Sequence, residues 1–201
     1  MATSESWPSD TIAERVGAAR SVVLVEGISD QLALQRLAER RGRDLAAERI
    51  AIVPTGGATS IGRFLEALGP HGLGLALAGL CDAGEERYVQ RRLERAGLAS
   101  ALDRATMEAL GFYVCVADLE EELIRALGAA SVLGVLEADG ELGPFRTFQK
   151  QPAHRGRSTE AQLRRFMGTQ AGRKYRYATL LVDALALDRM PRPLDAVLAH
   201  V

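Results

Sequence analysis

Short apolar runs alternate with amphipathic segments in the first 117 residues of the chain. In the amphipathic segments apolar residues recur at helical spacing, as Leu34, Leu37 and Ala38 do within residues 29–41. Four apolar runs have the length of strands buried on both faces: SVVLVE (21–26), IAIV (50–53), LGLALAGL (73–80) and FYVCVA (112–117). The alternation predicts βαβ units, and therefore an α/β fold with a mainly parallel four-stranded sheet flanked by helices.

The chain beyond residue 119 shows only helical patterns and loops. The clearest helices cover residues 158–168 and 171–188, and the polar segment HRGRST (154–159) is typical of an exposed loop. We therefore predict three parts: an N-terminal helix over residues 1–20, the α/β domain over 21–128 and a helical C-terminal extension over 129–201.

Composition excludes several classes of protein. The chain has 201 residues, of which 47% are hydrophobic and 25% charged, as in ordinary globular proteins. No apolar run approaches the roughly 18 residues that cross a bilayer, and no basic stretch before an apolar block marks a signal peptide. The two cysteines, Cys81 and Cys115, lie in apolar runs and do not form a disulfide framework. We therefore expect a cytoplasmic protein.

Charge is unevenly distributed along the chain. Residues 82–145 contain 13 acids and 6 bases, whereas residues 146–176 contain 9 bases and 1 acid. An acidic centre beside a basic segment suits a protein that holds cations and approaches a polyanion, although two solvated faces would give the same pattern. Of the 25 basic residues only Lys150 and Lys174 are lysine, so either lysine marks a need for a compact point charge or both reflect drift.

The carboxylates fall at the ends of the predicted strands. Glu26 ends the first strand, Asp82 follows the third and Asp118 follows the fourth. Because the carboxyl ends of parallel strands form one edge of the sheet, these acids should converge there. Three more acids lie close to them in the sequence: Asp30 one helical turn after Glu26, Glu85 after Asp82, and Glu120 after Asp118.

Several carboxylates at one edge repel one another unless a cation joins them. Oxygen ligands without a Cys/His cluster favour Mg²⁺ or Mn²⁺ over zinc, and such a site can clamp a phosphodiester and activate water. A structural alternative is that Asp118 and Glu120 cap a helix and that Glu85 and Glu86 are solvated.

Other motifs are weaker. GATSIGRF (57–64) has the glycine spacing of a phosphate loop, but Arg63 and Phe64 occupy the Lys-Ser/Thr positions, which excludes an ATPase loop. The Gly56-Gly57 turn could still bind a phosphate through its backbone N–H groups. The three histidines, His71, His154 and His200, are too scattered to form a ligand set and are predicted to lie on the surface or in loops.

Several segments resemble, in order, motifs of the topoisomerase–primase (toprim) domain. VVLVEGISDQLALQRLA is similar to its first strand, Glu-Gly and helix; AIVPTGGATSIGRFLEAL to its second strand and Gly-Gly turn; and LALAGLCDAGEE to its third strand and metal-binding acid. FYVCVADLEEELIRALG and GRKYRYATLLVDAL are most similar to the overcoming-lysogenization-defect (OLD) nucleases within that group. The resemblance covers residues 20–185.

The resemblance implies a Rossmann-like toprim fold and divalent-metal phosphodiester chemistry on DNA. Transferred by position, it makes metal ligands of Glu26, Asp30, Asp82 and Glu120, with Asp118 as a further candidate. Lys174 matches the lysine that stabilises charge on the phosphate.

The sequence departs from the family pattern in two respects. Asp82 is followed by Ala83, Gly84 and Glu85 where many toprim proteins have Asp-x-Asp, so either Glu85 replaces the second acid or one metal position is weakened. Family nucleases usually carry an ATPase domain before the toprim part. The sequence contains none, which suits a stand-alone version, a partner of a separate ATPase or a fragment.

We therefore predict a Mg²⁺- or Mn²⁺-dependent DNA endonuclease or nickase in which metal-bound water hydrolyses the phosphodiester and Glu26, Asp82 and Lys174 are catalytic. The arginines predicted to hold the DNA backbone are Arg63, Arg155, Arg157, Arg164, Arg165 and Arg173. One alternative is a non-catalytic toprim module that binds nucleic acid or a separate ATPase in DNA repair or defence. Another is phosphate hydrolysis or nucleotidyl transfer on a smaller substrate. A homo-oligomer is compatible with each hypothesis.

Overall fold

The computed structural model describes residues 9–201 of the chain. The strands in this part are Ser21–Val25 (β1), Ile50–Pro54 (β2), Ala76–Asp82 (β3) and Phe112–Cys115 (β4). The α-helices are Ser9–Val16 (α1), Ile28–Arg40 (α2), Ile61–Leu68 (α3), Glu86–Arg95 (α4), Arg104–Ala109 (α5), Leu119–Leu127 (α6), Ala129–Ala138 (α7), Leu142–Gln149 (α8), Thr159–Met167 (α9), Ala171–Ala184 (α10) and Arg192–His200 (α11). Short 3₁₀ turns at Ala58–Ser60 and Leu187–Arg189 lie before α3 and α11.

The strands form one parallel sheet in the order β2-β1-β3-β4, which confirms the predicted α/β fold. Ser21 of β1 pairs with Ile50 of β2 on one side and with Ala76 of β3 on the other. The chain therefore adds β2 to one side of β1 and β3 to the other. The carboxyl end of β1 is thus a topological switch point, the place where open α/β sheets bind ligands.

The two faces of the sheet carry two separate cores. Val22 and Leu24 pack with apolar residues of α1, α3, α4 and α5, whereas Val23 and Val25 pack with residues of α2 and of α6 to α11. The helices after residue 128 therefore complete the core on one face of the sheet. The predicted boundaries at residues 20 and 128 stay a prediction, and residues 1–8 of the predicted N-terminal helix lie outside the described residues.

The structure differs from the expectations at one helix and at one histidine. Helix α5 was not predicted, although its N-cap Asp103 accepts a hydrogen bond from the Thr106 backbone N–H, a common start signal. His154 lies in the predicted loop, and residues 155–158 of that loop are exposed as expected. The predicted exposure of His154 itself is wrong, because it is 6% exposed and its ring stacks on Phe148 with centroids 3.8 Å apart. Across the described chain, no helix is both long enough and apolar enough to cross a bilayer.

Candidate metal and nucleic-acid site

The acids predicted from the strand ends line one groove at the carboxyl edge of the sheet. Glu26 directly follows β1 and Asp82 ends the neighbouring strand β3, so both lie at the switch point. The groove has a volume of about 720 Å³, and its lining also includes Asp30, Asp118 and Glu120. The parallel sheet therefore brings together acids that are distant in the sequence.

Asp82 is the acid most affected by this crowding. Its burial and the charges of Glu26, Asp118, Asp30 and Glu85 raise its pKa to about 7. The protein therefore holds a carboxylate where its ionised form is unfavourable unless positive charge is nearby.

Asp30 is fixed by the first turn of α2. Its Oδ2 accepts a hydrogen bond of 2.8 Å from the Gly27 backbone N–H, which turns the carboxylate back towards the strand end. Burial raises the pKa of Asp30 to about 6, although the Gly27 bond and the charge of Lys174 act in the opposite direction.

Glu85 stands after Asp82, where the family pattern has a second aspartate. It is the N-cap residue of α4, and its Oε2 is buried without a hydrogen-bond partner. Burial and the neighbouring charge of Glu26 raise its pKa. Glu85 is therefore close to Glu26, and it is not the solvated residue of the structural alternative.

Asp118 has the capping role considered above, together with an ion pair to the basic segment. Its Oδ1 accepts from the Glu121 backbone N–H at 2.8 Å and caps α6. Its Oδ2 accepts from Arg164 of α9, with the guanidinium Nε at 2.7 Å. Both oxygens of Asp118 are thus engaged.

Glu120 and Lys174 form a second ion pair at the groove. The Lys174 Nζ lies 3.3 Å from Glu120 Oε2, and Glu120 is only 4% exposed. Burial raises the pKa of Glu120 to about 6 in spite of Lys174. Burial alone would lower the pKa of Lys174, but Glu120, Asp30 and Asp118 outweigh it and raise that pKa, so the ammonium stays charged.

The predicted arginines do not all lie at the groove. Arg157, Arg164 and Arg165 line a second cavity of about 560 Å³, which shares Asp118, Glu120 and Lys174 with the acidic groove. On the other side, Arg63 lines the acidic groove near the turn after β2.

Two predicted arginines lie elsewhere and make other contacts. The Arg155 Nε donates to the Lys150 carbonyl oxygen at 2.8 Å. Arg173 pairs with Glu141 at 3.0 Å and lies over the Phe166 ring. The structure therefore does not bring Arg155 and Arg173 to the acids of the groove.

The Gly56-Gly57 turn does not offer a phosphate site of the kind considered above. The backbone N–H groups of Gly56 and Gly57 donate to the carbonyl oxygen of Glu26, at 3.2 and 3.1 Å. Both glycines have positive φ values, +78° and +111°, which side chains rarely tolerate. The turn therefore fixes the backbone of Glu26 at the groove, and the expectation of a phosphate on these N–H groups is wrong.

The acids fit a divalent cation in chemistry, although they do not form a closed cage. Within residues 9–201, no group of three or more acidic, histidine or cysteine side chains is arranged to enclose a metal ion as it stands. All the donors are carboxylate oxygens, which suit Mg²⁺ or Mn²⁺. Glu120 Oε1 and Glu85 Oε2 are also buried without partners, and a cation would satisfy such oxygens.

Arg15 and Tyr175 are among the groove-lining residues that sequence reasoning missed. Arg15 of α1 lies there and donates to the Pro54 carbonyl oxygen at 3.1 Å. No pattern in the sequence indicates that α1 packs beside the end of β2. Tyr175 also lines the groove, and its position directly after Lys174 is a signal that could have found it.

Comparisons with known proteins agree with the fold and the order of motifs. Residues 19–83 match the model of the overcoming lysogenization defect protein-like TOPRIM domain. The chain is similar in structure to the C-terminal region of the Xanthomonas campestris pv. campestris OLD protein, with a TM-score of 0.68 and 24% identity over 91% of this chain and 92% of that one. It is also similar to the C-terminal region of the Burkholderia pseudomallei OLD protein, with a TM-score of 0.68 and 20% identity over 90% and 96% of the two chains. No curated protein matches it in sequence.

The match of residues 19–83 to the OLD-like TOPRIM domain confirms the resemblance drawn from the sequence motifs. The structural likeness extends to the helices after residue 128, because it covers about nine tenths of the chain.

Proposed function

We propose that this chain is a divalent-metal-dependent DNA endonuclease or nickase of the toprim type. The observation that carries the proposal is the convergence of Glu26, Asp82 and Lys174 on one groove that continues into an arginine-lined cavity. Acids can hold a cation that activates water, a fixed ammonium can stabilise charge on the phosphate, and guanidinium groups can position the DNA backbone.

The acids at the switch point would hold the cation. Glu26 directly follows β1, Asp82 ends the adjacent strand β3, and Asp30 is turned towards them by its bond to Gly27. Three further acids lie near them, Asp118, Glu120 and Glu85. Their negative charges add to the attraction for a cation. When bound, Mg²⁺ or Mn²⁺ would clamp the phosphodiester, activate a water molecule and stabilise the leaving oxygen.

Lys174 supplies a fixed positive charge at the same place. Its ion pair with the buried Glu120 restrains the side chain, while 40% of the lysine side chain remains exposed to the groove. The charges of Glu120 and Asp30 keep the ammonium protonated. It can therefore donate to a phosphate oxygen on which negative charge develops.

Arginines on both sides would hold the DNA backbone. Arg157, Arg164 and Arg165 lie on one side of the acids and Arg63 on the other, so a strand crossing the groove meets a guanidinium group before and after the reacting phosphate. Contacts of this kind position DNA without reading its sequence.

A plasmid-nicking assay tests the proposal. Wild-type protein should relax supercoiled plasmid in Mg²⁺ or Mn²⁺ and leave it intact in EDTA. Glu26→Gln and Asp82→Asn should each lower the rate at least about a hundredfold. Glu137→Gln, which removes an exposed carboxylate on α7, is the matched control and should cleave as wild type does. A folded wild-type protein that cleaves nothing in either metal would contradict the enzymatic proposal.

A non-catalytic toprim module is the second candidate, and two observations favour it. Ala83 and Gly84 follow Asp82 where a second aspartate is usual. In addition, Asp118 and Glu120 already form ion pairs with Arg164 and Lys174 of the same chain. Such a module would bind nucleic acid or a separate ATPase partner. It predicts metal-independent DNA binding, or binding to the ATPase, by a wild-type protein that does not cleave.

A further inference from the structure

A third cavity, more apolar than the other two, lies beside the arginine-lined one. Its volume is about 680 Å³, which is within the range of sites that bind small molecules. Residues of α8, α9, α10 and the loop after α8 line it, among them Thr147, Phe148, His154, Arg165, Phe166 and Arg173. None of the chemistry proposed above uses this cavity.

Two stacked pairs of side chains form part of its wall. The imidazole of His154 stacks on Phe148, with ring centroids 3.8 Å apart and planes inclined by 17°. The guanidinium carbon of Arg173 lies 4.0 Å from the centroid of the Phe166 ring. Each phenylalanine therefore holds a planar polar group in place, so the wall combines aromatic surface with fixed nitrogen groups, the kind of surroundings in which proteins bind unpaired bases.

Two nitrogens in the same wall have no hydrogen-bond partner. His154 is 6% exposed, and its Nδ1 is buried and unpartnered. The Nε of Arg173 is likewise unpartnered, although its Nη groups bond to Glu141 and Thr169. Buried polar atoms without partners are uncommon in proteins and indicate that a hydrogen-bonding group belongs next to them.

The cavity is continuous with the proposed DNA path. Arg165 and Thr169 line both this cavity and the arginine-lined one. A phosphate held by Arg165 would place its own nucleotide at the entrance. Because the faces of bases in a duplex are covered by their neighbours, only an unpaired base can enter an apolar cavity.

We propose that this cavity receives an unpaired base of the DNA bound in the groove, so that the substrate class is DNA with a single-stranded end or segment. The inference rests on the proposed function, because the groove must bind DNA. A nucleotide fits better than an apolar peptide side chain, since it uses the cationic rim of Arg165 as well as the stacked pairs.

The experiment compares two duplexes and two tryptophan variants. Thr147→Trp fills the cavity from an exposed position of α8, where the threonine hydroxyl donates to the Gly143 carbonyl oxygen at 3.2 Å. Thr179→Trp is the matched control, because the Thr179 hydroxyl makes the same kind of bond within α10, at 2.8 Å to the Arg176 carbonyl oxygen, and the residue does not line the cavity. Equilibrium binding is measured in Ca²⁺ for a blunt duplex and for the same duplex with a short overhang that contains 2-aminopurine.

Wild type and Thr179→Trp should bind the overhang duplex about tenfold more tightly than the blunt one. Thr147→Trp should lose this preference, keep the affinity for the blunt duplex and abolish the change in 2-aminopurine fluorescence on binding. Equal affinities of wild type for both duplexes, or a preference unchanged in Thr147→Trp, would overturn the inference while leaving the nuclease proposal intact. Absence of DNA binding by folded wild type would overturn both.

Discussion

Arg164 of α9 holds the carboxylate of Asp118 through two guanidinium nitrogens, Nε at 2.7 Å and Nη2 at 2.6 Å from the same oxygen, Oδ2. The other carboxylate oxygen caps α6 by accepting from the Glu121 N–H. This ion pair and that of Lys174 with Glu120 join the basic segment to the acidic groove. The two Arg164 nitrogens that face Asp118 are not available to a DNA phosphate while the Arg164 pair holds.

Releasing Arg164 should strengthen DNA binding. Asp118→Asn keeps a good N-cap residue but removes the charge that holds Arg164, so without divalent metal the variant should bind duplex DNA about fivefold more tightly than wild type. Binding is measured by fluorescence anisotropy in EDTA.

A double-mutant cycle distinguishes the release of Arg164 from the weaker repulsion of DNA that the loss of any nearby negative charge would cause. In an Arg164→Ala background, Asp118→Asn should gain no more DNA affinity than Glu85→Gln, which removes a nearby negative charge whose pKa is affected by burial and Glu26 and by no arginine. Additive effects of Asp118→Asn and Arg164→Ala would mean that the ion pair does not restrain binding.

Metal should stabilise the wild-type fold through Glu26 and Asp82. A ligand at a hundred times its dissociation constant adds about 2.7 kcal/mol to the free energy of unfolding, so the melting temperature should rise on titration with Mg²⁺ or Mn²⁺. Glu26→Gln and Asp82→Asn should lose most of that rise, whereas Glu137→Gln should keep it. Variants that respond to metal as wild type does would identify the two acids as structural.

The metal-free protein should lose stability relative to Asp82→Asn as the pH rises. An unfolded aspartate has a pKa of about 3.9, whereas burial and neighbouring acids raise that of folded Asp82 to about 7. Between these values the folded state binds more protons than the unfolded state, so the cost of ionising Asp82 is absent below the lower value and complete above the higher one. In EDTA, the melting temperature of Asp82→Asn should therefore exceed that of wild type by more at about pH 8 than at about pH 5. A difference that does not change with pH would refute this assignment.

Lys174→Ala should impair turnover far more than folding. Loss of one charge-assisted contact to the phosphate costs roughly 3 kcal/mol, or about a hundredfold in the nicking rate. The other lysine, the exposed Lys150, provides the control, and Lys150→Ala should cleave normally. Single-turnover rates measured with saturating protein distinguish this effect from weaker binding. A purified Lys174→Ala protein with the wild-type rate would remove the proposed role.

The salt dependence of DNA binding should report the arginines at the cavity. Each lost phosphate contact reduces the log–log salt slope by about 0.9 on duplex DNA. The triple variant Arg157→Ala, Arg164→Ala, Arg165→Ala should therefore flatten the slope. Arg155→Ala, in the same basic segment but outside the lining of the cavity, should change it little. If the two variants gave equal slopes, the DNA path would lie elsewhere.

The sequence by itself determined the sheet and the acids at its edge. The apolar runs that contain Val23 and Leu80 are typical of strands buried on both faces, and parallel strands end at one edge, so Glu26 and Asp82 were expected to converge there. The strand order confirms that β1 and β3 are neighbours. The scarcity of lysine and the resemblance to toprim motifs together indicated Lys174, and the groove does contain it.

Only the tertiary structure decided which partners these residues have. The pairing of Lys174 with Glu120, that of Arg164 with Asp118 and the burial of His154 all depend on how α8, α9 and α10 pack on one face of the sheet. Hydrophobic periodicity tells which side of a helix is buried, but it does not tell which other element covers that side. That choice is made by shape and charge complementarity between segments far apart in the chain, and a local pattern contains no record of it.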